Sequence, residues 1–178
     1  GLNVERFTSA TPFDRERPYL LTVGRLEEYK GVQHVIRAMT DLPEFDLLVA
    51  GSGPYRDALE RIAREAGVED RVEFLGYVDS ETLPGLYAGA DVYVTMSEFE
   101  AYGMTVAEAL AAGTPCVVRE AGALVDWARR EGSFAIQDAR SSEIVSAVHS
   151  LDHVDVDVDI GITWSEVAEF TQIIYQNQ

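Results

Sequence analysis

Two cations and two carboxylates stand out among the residues that could do chemistry. Arg25 and Lys30 lie in the glycine-bounded segment 24–31, and Lys30 is the only lysine of the chain. Glu100 and Glu108 flank a turn that runs into a predicted helix. Paired cations can hold a diphosphate, and carboxylates accept hydrogen bonds from sugar and ribose hydroxyls. These residue types point to a site for a phosphorylated, hydroxyl-rich ligand.

Each of these features also has a purely structural interpretation. Arg25 and Lys30 could simply pair with the neighbouring glutamates at the surface. Thr105 and Glu108 have the spacing of a capping box, in which the glutamate only closes the start of a helix. The lone lysine favours a ligand-binding role for the cation pair, because a compact point charge is kept here while arginine serves elsewhere.

Backbone groups in two loops add to the candidate site. Residues 102–105 are predicted to lead into a helix, with Glu108 in its first turn, and the first amides of a helix can face an anion. In segment 51–54 the glycines allow close approach to the backbone, and Pro54 fits the first helical position. The third glycine of a dinucleotide fingerprint is absent there, so a plain turn between strand and helix explains segment 51–54 equally well.

Hydrophobic patterning predicts the elements that must position these loops. Short apolar runs predict buried parallel strands, over residues 19–23, 47–50, 72–75, 92–95, 116–118 and 134–136. Amphipathic helices are predicted between them, with a stop at Gly67, a cap at Ser80 and a last helix from about Ser165 capped by Thr163 and Glu166. This alternation predicts a doubly wound α/β sheet, whose ligands bind beyond the carboxyl ends of the strands.

Composition and charge restrict the class of protein. The chain has 178 residues, of which 47% are hydrophobic, and this predicts one globular domain. The net charge of −17 repels polyphosphates, so nucleic-acid binding is not expected, and we interpret it as a solvated acidic surface of the halophilic kind. The single cysteine, Cys116, favours an intracellular protein.

No metal site is predicted from the sequence. Carboxylates alternate with valine over residues 152–159, and an extended conformation would place them on one side. An exposed acidic edge is the ordinary explanation of such a stretch. His34, His149 and His153 do not cluster in sequence and receive no role.

Together these segments resemble the C-terminal, donor-binding domain of retaining GT-B glycosyltransferases of family 4, also called glycosyl transferases group 1. Glu100 and Glu108 stand at the spacing of that family's E-x7-E motif, and Arg25 and Lys30 match its G-R-x4-K-G loop. Ala101 stands where the family usually has glycine. Further similar segments are residues 1–7, 71–78, 111–118 and 163–166.

The resemblance implies a role for each candidate site residue. Arg25 and Lys30 would hold the donor diphosphate, Glu100 would contact hydroxyls of the transferred sugar, and Glu108 would bind the ribose. Backbone amides of residues 103–105 would hold phosphate, and the backbone near residues 77–78 would line the base pocket. The implied catalytic residues are Arg25, Lys30 and Glu100, and the other implied donor contacts are Gly24, Gly53, Tyr77, Val78, Tyr102, Gly103, Met104, Thr105 and Glu108.

The resemblance also implies a reaction and a domain plan. A sugar would pass from a nucleotide-sugar to an acceptor with retention of configuration, and no metal or other cofactor would take part. Residues 1–17 would enter from an N-terminal acceptor-binding domain that this chain lacks, and residues 18–178 would form the Rossmann-like nucleotide-sugar-binding domain. We therefore expect the fragment alone to be inactive. A cytoplasmic location is implied, which leaves open a peripheral association of the full-length enzyme with the membrane.

Alternatives to a transferase remain open at this point. A non-catalytic nucleotide-sugar-binding domain and a GT-B sugar-nucleotide epimerase would share the same donor site. A receiver-like α/β signalling module would need acidic residues at the end of the first strand. Val23 is followed there by glycine and arginine, which argues against a receiver.

Overall fold

Six parallel strands form one sheet in the computed structural model, which describes residues 5–151. The strand order is β3-β2-β1-β4-β5-β6. This arrangement confirms the predicted doubly wound sheet, and each predicted strand corresponds to an observed one. The strands are β1 (Tyr19–Val23), β2 (Asp46–Ala50), β3 (Val72–Gly76), β4 (Val92–Thr95), β5 (Cys116–Arg119) and β6 (Ser133–Ile136).

Helices cover both faces of this sheet. The helices are α1 (Glu5–Thr8), α2 (Val32–Ala38), α3 (Arg56–Ala66), α4 (Leu83–Gly89), α5 (Met104–Ala111), α6 (Leu124–Ala128) and α7 (Ser141–Leu151). Helices α2, α3 and α7 enclose one apolar core, and α1, α4, α5 and α6 enclose the other. Alternate strand residues point to opposite cores, so Leu20 joins the first and Leu21 the second. The strands are thus buried on both faces, which explains their continuous apolar runs.

The starts of α3 and α4 differ from the prediction, while the predicted stop at Gly67 is confirmed, with a left-handed φ of 67°. Helix α3 begins at Arg56, so Pro54 precedes it instead of occupying its first position. Ser80 does not cap α4. The carboxylate of Asp79 accepts hydrogen bonds from the amides of residues 81 and 82, at 2.9 and 2.8 Å. A carboxylate is the stronger acceptor for such amides, and Asp79 is placed to reach both.

The strand order places the switch point of the sheet between β1 and β4. The chain builds outward from β1 through β2 and β3, and then returns to add β4, β5 and β6 on the other side. The loops that follow β1 and β4 therefore lie side by side at the carboxyl edge, where open α/β sheets bind ligands. A receiver module has the different order 2-1-3-4-5, so the sheet order argues against that alternative.

The segment before β1 packs against the domain. Phe7 makes an edge-on contact with Tyr87 at 5.9 Å between ring centroids, and the amide of Phe13 donates to the carbonyl of Gly85 at 2.9 Å. Arg15 and Arg17 each form an ion pair of 3.1 Å with the buried carboxylate of Asp46. The division into an entry segment 1–17 and a domain 18–178 stays a prediction.

Several predictions fall outside the described residues. They concern the helix from Ser165 with its Thr163 and Glu166 capping box, and the acidic stretch 152–159. Within residues 5–151, no helix combines the length and the apolar character that crossing a membrane requires.

Candidate functional site

A cavity of about 290 Å³ opens at the carboxyl edge of β1 and β4. Its walls come from β1 and the loop after it, from the end of β4, and from the start of α5. The structure thus brings together residues that are far apart in sequence. Five predicted site residues line this cavity: Gly24, Arg25, Lys30, Glu100 and Thr105.

Lys30 and Glu100 are in direct contact across the two loops. The Lys30 ammonium pairs with Oε2 of Glu100, and each side chain is only 21% exposed. Ser97 lies 3.4 Å from the same carboxylate oxygen and donates to the carbonyl of Phe99 at 2.8 Å. Lys30 therefore does not form the surface pair with Glu27 or Glu28 that the sequence left open, because its partner comes from the neighbouring loop.

Arg25 stands at the rim of the cavity. Its Nε atom lies 2.8 Å from Oε1 of Glu27, and its side chain is 71% exposed. The surface pair considered from the sequence is thus formed at Arg25. Exposed ion pairs contribute only about 0–1 kcal/mol, so a ligand phosphate could replace Glu27 at small cost.

Gly31 lets the two loops meet. It has a φ of 74°, and a Cβ atom there would lie 2.3 Å from the carbonyl oxygen of Met96. The amide of Glu98 donates to the carbonyl of Tyr29 at 2.8 Å, which joins the same loops again. The contact between Lys30 and Glu100 therefore depends on this close backbone packing.

Trp127 on α6 packs against the loop before α5 and holds it. The sequence analysis missed this residue. Its indole N–H donates to the carbonyl of Tyr102 at 2.7 Å. A Cβ atom on Gly103 would lie 2.5 Å from the indole ring. In the sequence Trp127 occupies an amphipathic position of α6, which is typical of any core residue and does not reveal this contact.

Replacing Trp127 with phenylalanine is expected to lower the free energy of unfolding by roughly 1–2 kcal/mol. The phenyl ring keeps most of the apolar packing but cannot donate to Tyr102, whose carbonyl then loses its partner. Urea unfolding measures the loss, and hydrogen exchange should quicken at the amides of Val106 and Ala107, which donate to the carbonyl of Gly103. Exchange at wild-type rates in this segment would show that the indole does not hold the loop.

The start of α5 has free backbone amides. Gly103 is its N-cap, in a left-handed conformation, and no side chain of residues 5–151 caps it. Met104 and Thr105 are its first two residues, so their amides have no carbonyl one turn earlier. Thr105 reaches the cavity, and these amides complete an edge that suits an anion.

Glu108 is not part of a capping box, and it does not lie in the first helical turn as predicted. It is the fifth residue of α5, because the helix begins at Met104. Its Oε2 atom accepts a hydrogen bond of 2.9 Å from the hydroxyl of Tyr87 on α4. Burial raises the pKa of the Glu108 carboxyl, and the hydrogen bond from Tyr87 opposes that rise.

The remaining predicted contacts are not among the residues that line the cavity. A Cβ atom on Gly53 would lie 2.3 Å from the carbonyl oxygen of Leu26, so packing between the two loops already requires this glycine. Tyr77 follows β3 and is 83% exposed, and Val78 beside it is half-buried. The donor-binding roles of all these residues stay predictions.

A parallel six-stranded sheet of this order, with a cavity at its switch point, matches the Rossmann-like half-domain of a GT-B fold. The model of the family Glycosyl transferases group 1 matches residues 3–151, which is most of the chain. The chain therefore belongs to the glycosyl transferases group 1. This membership confirms the resemblance of the sequence and excludes the receiver alternative.

Individual relatives agree with this family. An uncharacterized glycosyltransferase of Methanocaldococcus jannaschii is 44% identical over 115 residues, which are 63% of this chain and 30% of that protein. The sucrose-phosphate synthase of Thermosynechococcus elongatus superposes with a TM-score of 0.80 at 26% identity, over 99% of this chain and 51% of its own. HepE of Anabaena, solved with UDP and glucose, has a TM-score of 0.81 at 19% identity, over 99% and 55%.

These matches also show how the chain compares in length with its relatives. It spans about a third of the curated relative, to which it aligns over 30% of that length. It spans about half of each of the two solved structures. The likeness to HepE concerns the fold alone.

Proposed function

We propose that this chain binds the nucleotide-sugar donor of a retaining glycosyltransferase, which passes the sugar to an acceptor. The observation that carries the proposal is the contact of Lys30 with Glu100 inside the switch-point cavity. It brings a cation suited to phosphate and a carboxylate suited to sugar hydroxyls to one place. Membership of the glycosyl transferases group 1 supports this assignment.

Donor binding would exchange one set of partners for another. The Lys30 ammonium would leave the Glu100 carboxylate and bind the diphosphate, while Glu100 would accept hydrogen bonds from the sugar. Arg25 would leave Glu27 in the same way, and the free amides at the start of α5 would add donors for phosphate oxygens. The backbone of neither loop has to change conformation for this exchange, because both loops already border the cavity.

The same cations would stabilise the leaving group. When the bond between the anomeric carbon and the diphosphate breaks, the electron pair stays on the phosphate oxygen and negative charge grows there. Lys30 and Arg25 at the cavity would offset that charge as it develops, without reorganisation of the loops. The proposed reaction uses no metal or other cofactor, and the nucleotide-sugar is its substrate.

Acceptor binding is proposed to lie outside this chain. The chain covers about half of the solved sucrose-phosphate synthase, 51% of its length, which leaves room for a further domain in the full-length protein. An N-terminal acceptor-binding domain of the full-length protein would complete the cleft. We accordingly expect donor binding but no sugar transfer by this chain alone.

Replacing Arg25 with alanine is expected to reduce donor binding below detection. Calorimetry with UDP-, GDP- and ADP-glucose on the 178-residue chain measures this, at high salt so that the net charge of −17 is screened. Wild type should bind one of these donors weakly. The loss in the variant follows because the diphosphate would lose one of its two cations.

Arg61→Ala is the matched control for Arg25→Ala. Arg61 is also exposed and also pairs with a nearby glutamate, Glu65, at 3.1 Å, but it lies on α3. The Arg61→Ala substitution removes the same charge at a position that does not line the cavity, so donor binding should persist. Equal affinities in the two variants would rule out a donor site at Arg25.

A further inference from the structure

Two buried tyrosines lie in the apolar core that includes α5, and within residues 5–151 only one of them is hydrogen-bonded to a candidate site residue. Tyr87 on α4 and Tyr93 on β4 are both fully buried, with ring centroids 5.6 Å apart. The Tyr87 hydroxyl donates to Oε2 of Glu108 at 2.9 Å. The Tyr93 hydroxyl faces Thr105, yet it makes no well-formed hydrogen bond to any residue that the structure describes.

Tyr87 is held rigidly in its place. Its carbonyl accepts a hydrogen bond from the hydroxyl of Thr114 at 2.6 Å and another from the amide of Ala90 at 3.0 Å. Its ring packs against the rings of Phe7 and Tyr93, with centroids 5.9 and 5.6 Å away. Because backbone and ring are both fixed, the hydroxyl presents a fixed donor to Glu108.

The hydrogen bond from Tyr87 restricts the conformation of the Glu108 side chain. A glutamate side chain has several rotamers, and a hydrogen bond to one carboxylate oxygen selects among them. Burial raises the pKa of the Glu108 carboxyl, and the hydrogen bond from Tyr87 favours the ionised form against that effect. Glu108 is half-buried, and among residues 5–151 its carboxylate accepts a side-chain hydrogen bond from Tyr87 alone, so its second oxygen keeps its capacity to accept one.

We propose that Tyr87 is a positioning residue, which holds the carboxylate of Glu108 ready to accept hydrogen bonds from the ribose hydroxyls of the donor. The inference rests on the proposed donor site and adds a residue to it. Tyr87 itself touches no ligand. It acts by binding one carboxylate oxygen of Glu108, which fixes the rotamer and leaves the other oxygen to accept from the ribose.

Tyr87→Phe and Tyr93→Phe form a matched pair that tests this role. Each removes one hydroxyl from a fully buried ring, but only the first removes a hydrogen bond to Glu108. The probes are UDP, GDP and ADP, each with its 2′-deoxy and 3′-deoxy analogue. Calorimetry gives the affinity ratio of each ribonucleotide to its deoxy analogues.

Wild type should bind one ribonucleotide roughly tenfold more tightly than a deoxy analogue, as expected for hydroxyls bound by a carboxylate. In Tyr87→Phe this ratio should fall to about two or three, because Glu108 is no longer held. Tyr93→Phe should keep the wild-type ratio. A purely structural role of Tyr87 would lower the unfolding temperature and leave the ratio unchanged, and that result would overturn the proposal.

Glu108→Ala separates failure of this inference from failure of the donor site. If Glu108→Ala abolishes the ribose preference while Tyr87→Phe retains it, Glu108 binds ribose without help and only the positioning role is wrong. If wild type shows no preference for any ribonucleotide, the proposed role of Glu108 fails and the role of Tyr87 fails with it.

Discussion

Replacing Lys30 with alanine is expected to weaken nucleotide-diphosphate binding by about a hundredfold or more, to below detection by calorimetry. The variant loses the only lysine of a chain with a net charge of −17. It also leaves the Glu100 carboxylate, which is 21% exposed, without its cation beside the phosphate position. The variant loses a charge-assisted contact with the diphosphate, and the unpaired Glu100 carboxylate repels it. A hundredfold loss of affinity corresponds to about 2.7 kcal/mol.

Glu100 provides the control for this prediction. In Lys30→Ala/Glu100→Gln the repulsive carboxylate is gone, so part of the affinity for UDP, GDP or ADP should return. Such recovery is a coupling between two residues in contact, which a double-mutant cycle measures. Lys30→Arg keeps the charge but changes its shape, and it should bind more tightly than Lys30→Ala. Wild-type affinity in Lys30→Ala would refute the proposed site.

Replacing Gly31 with alanine is expected to lower the free energy of unfolding by more than about 4 kcal/mol, one of the largest effects of a single substitution. The residue has a left-handed φ of 74°, and its Cβ atom would lie 2.3 Å from the carbonyl oxygen of Met96. The clashing atom belongs to the backbone of Met96, which cannot move aside as the end of a flexible side chain can. The loops after β1 and β4 must therefore separate. Urea unfolding measures the loss.

Gly67→Ala is the matched control for Gly31→Ala. Gly67 has nearly the same backbone conformation, with a φ of 67°, but a Cβ atom there meets nothing within 4 Å. It should lose only roughly 1 kcal/mol, the strain of a left-handed alanine. The difference between the two variants isolates the clash with Met96. Equal losses would show that the loops adapt and that Gly31 is needed only for its conformation.

Local patterns of the sequence were sufficient for the elements of this fold. Each strand is a short apolar run, because both faces of a parallel sheet are covered by helices. Helix ends were less predictable. Thr82 and not Ser80 is the N-cap of α4, and α5 begins before the Thr105 of the expected capping box. Several residues near a helix start can satisfy its amides, and tertiary packing decides among them.

The candidate site was predictable in its residue types more than in its contacts. Lys30 and Glu100 were both expected at the carboxyl edge, and the strand order then placed their loops side by side. The sequence could not distinguish Arg25, which pairs with Glu27 at the rim, from Lys30, which pairs across the loops. Both cations have glutamates nearby in sequence, and only the direction of each side chain decides its partner.

The sequence alone thus determined the strands, the sheet class, the family and the charged residues of its loops, since these depend on local spacing and composition. The tertiary structure decided that Trp127 holds the loop before α5 and that Tyr87 binds Glu108. These contacts join residues about twenty positions or more apart, on different elements. No local pattern encodes them, because they arise only where helices from separate parts of the chain pack on the same face of the sheet.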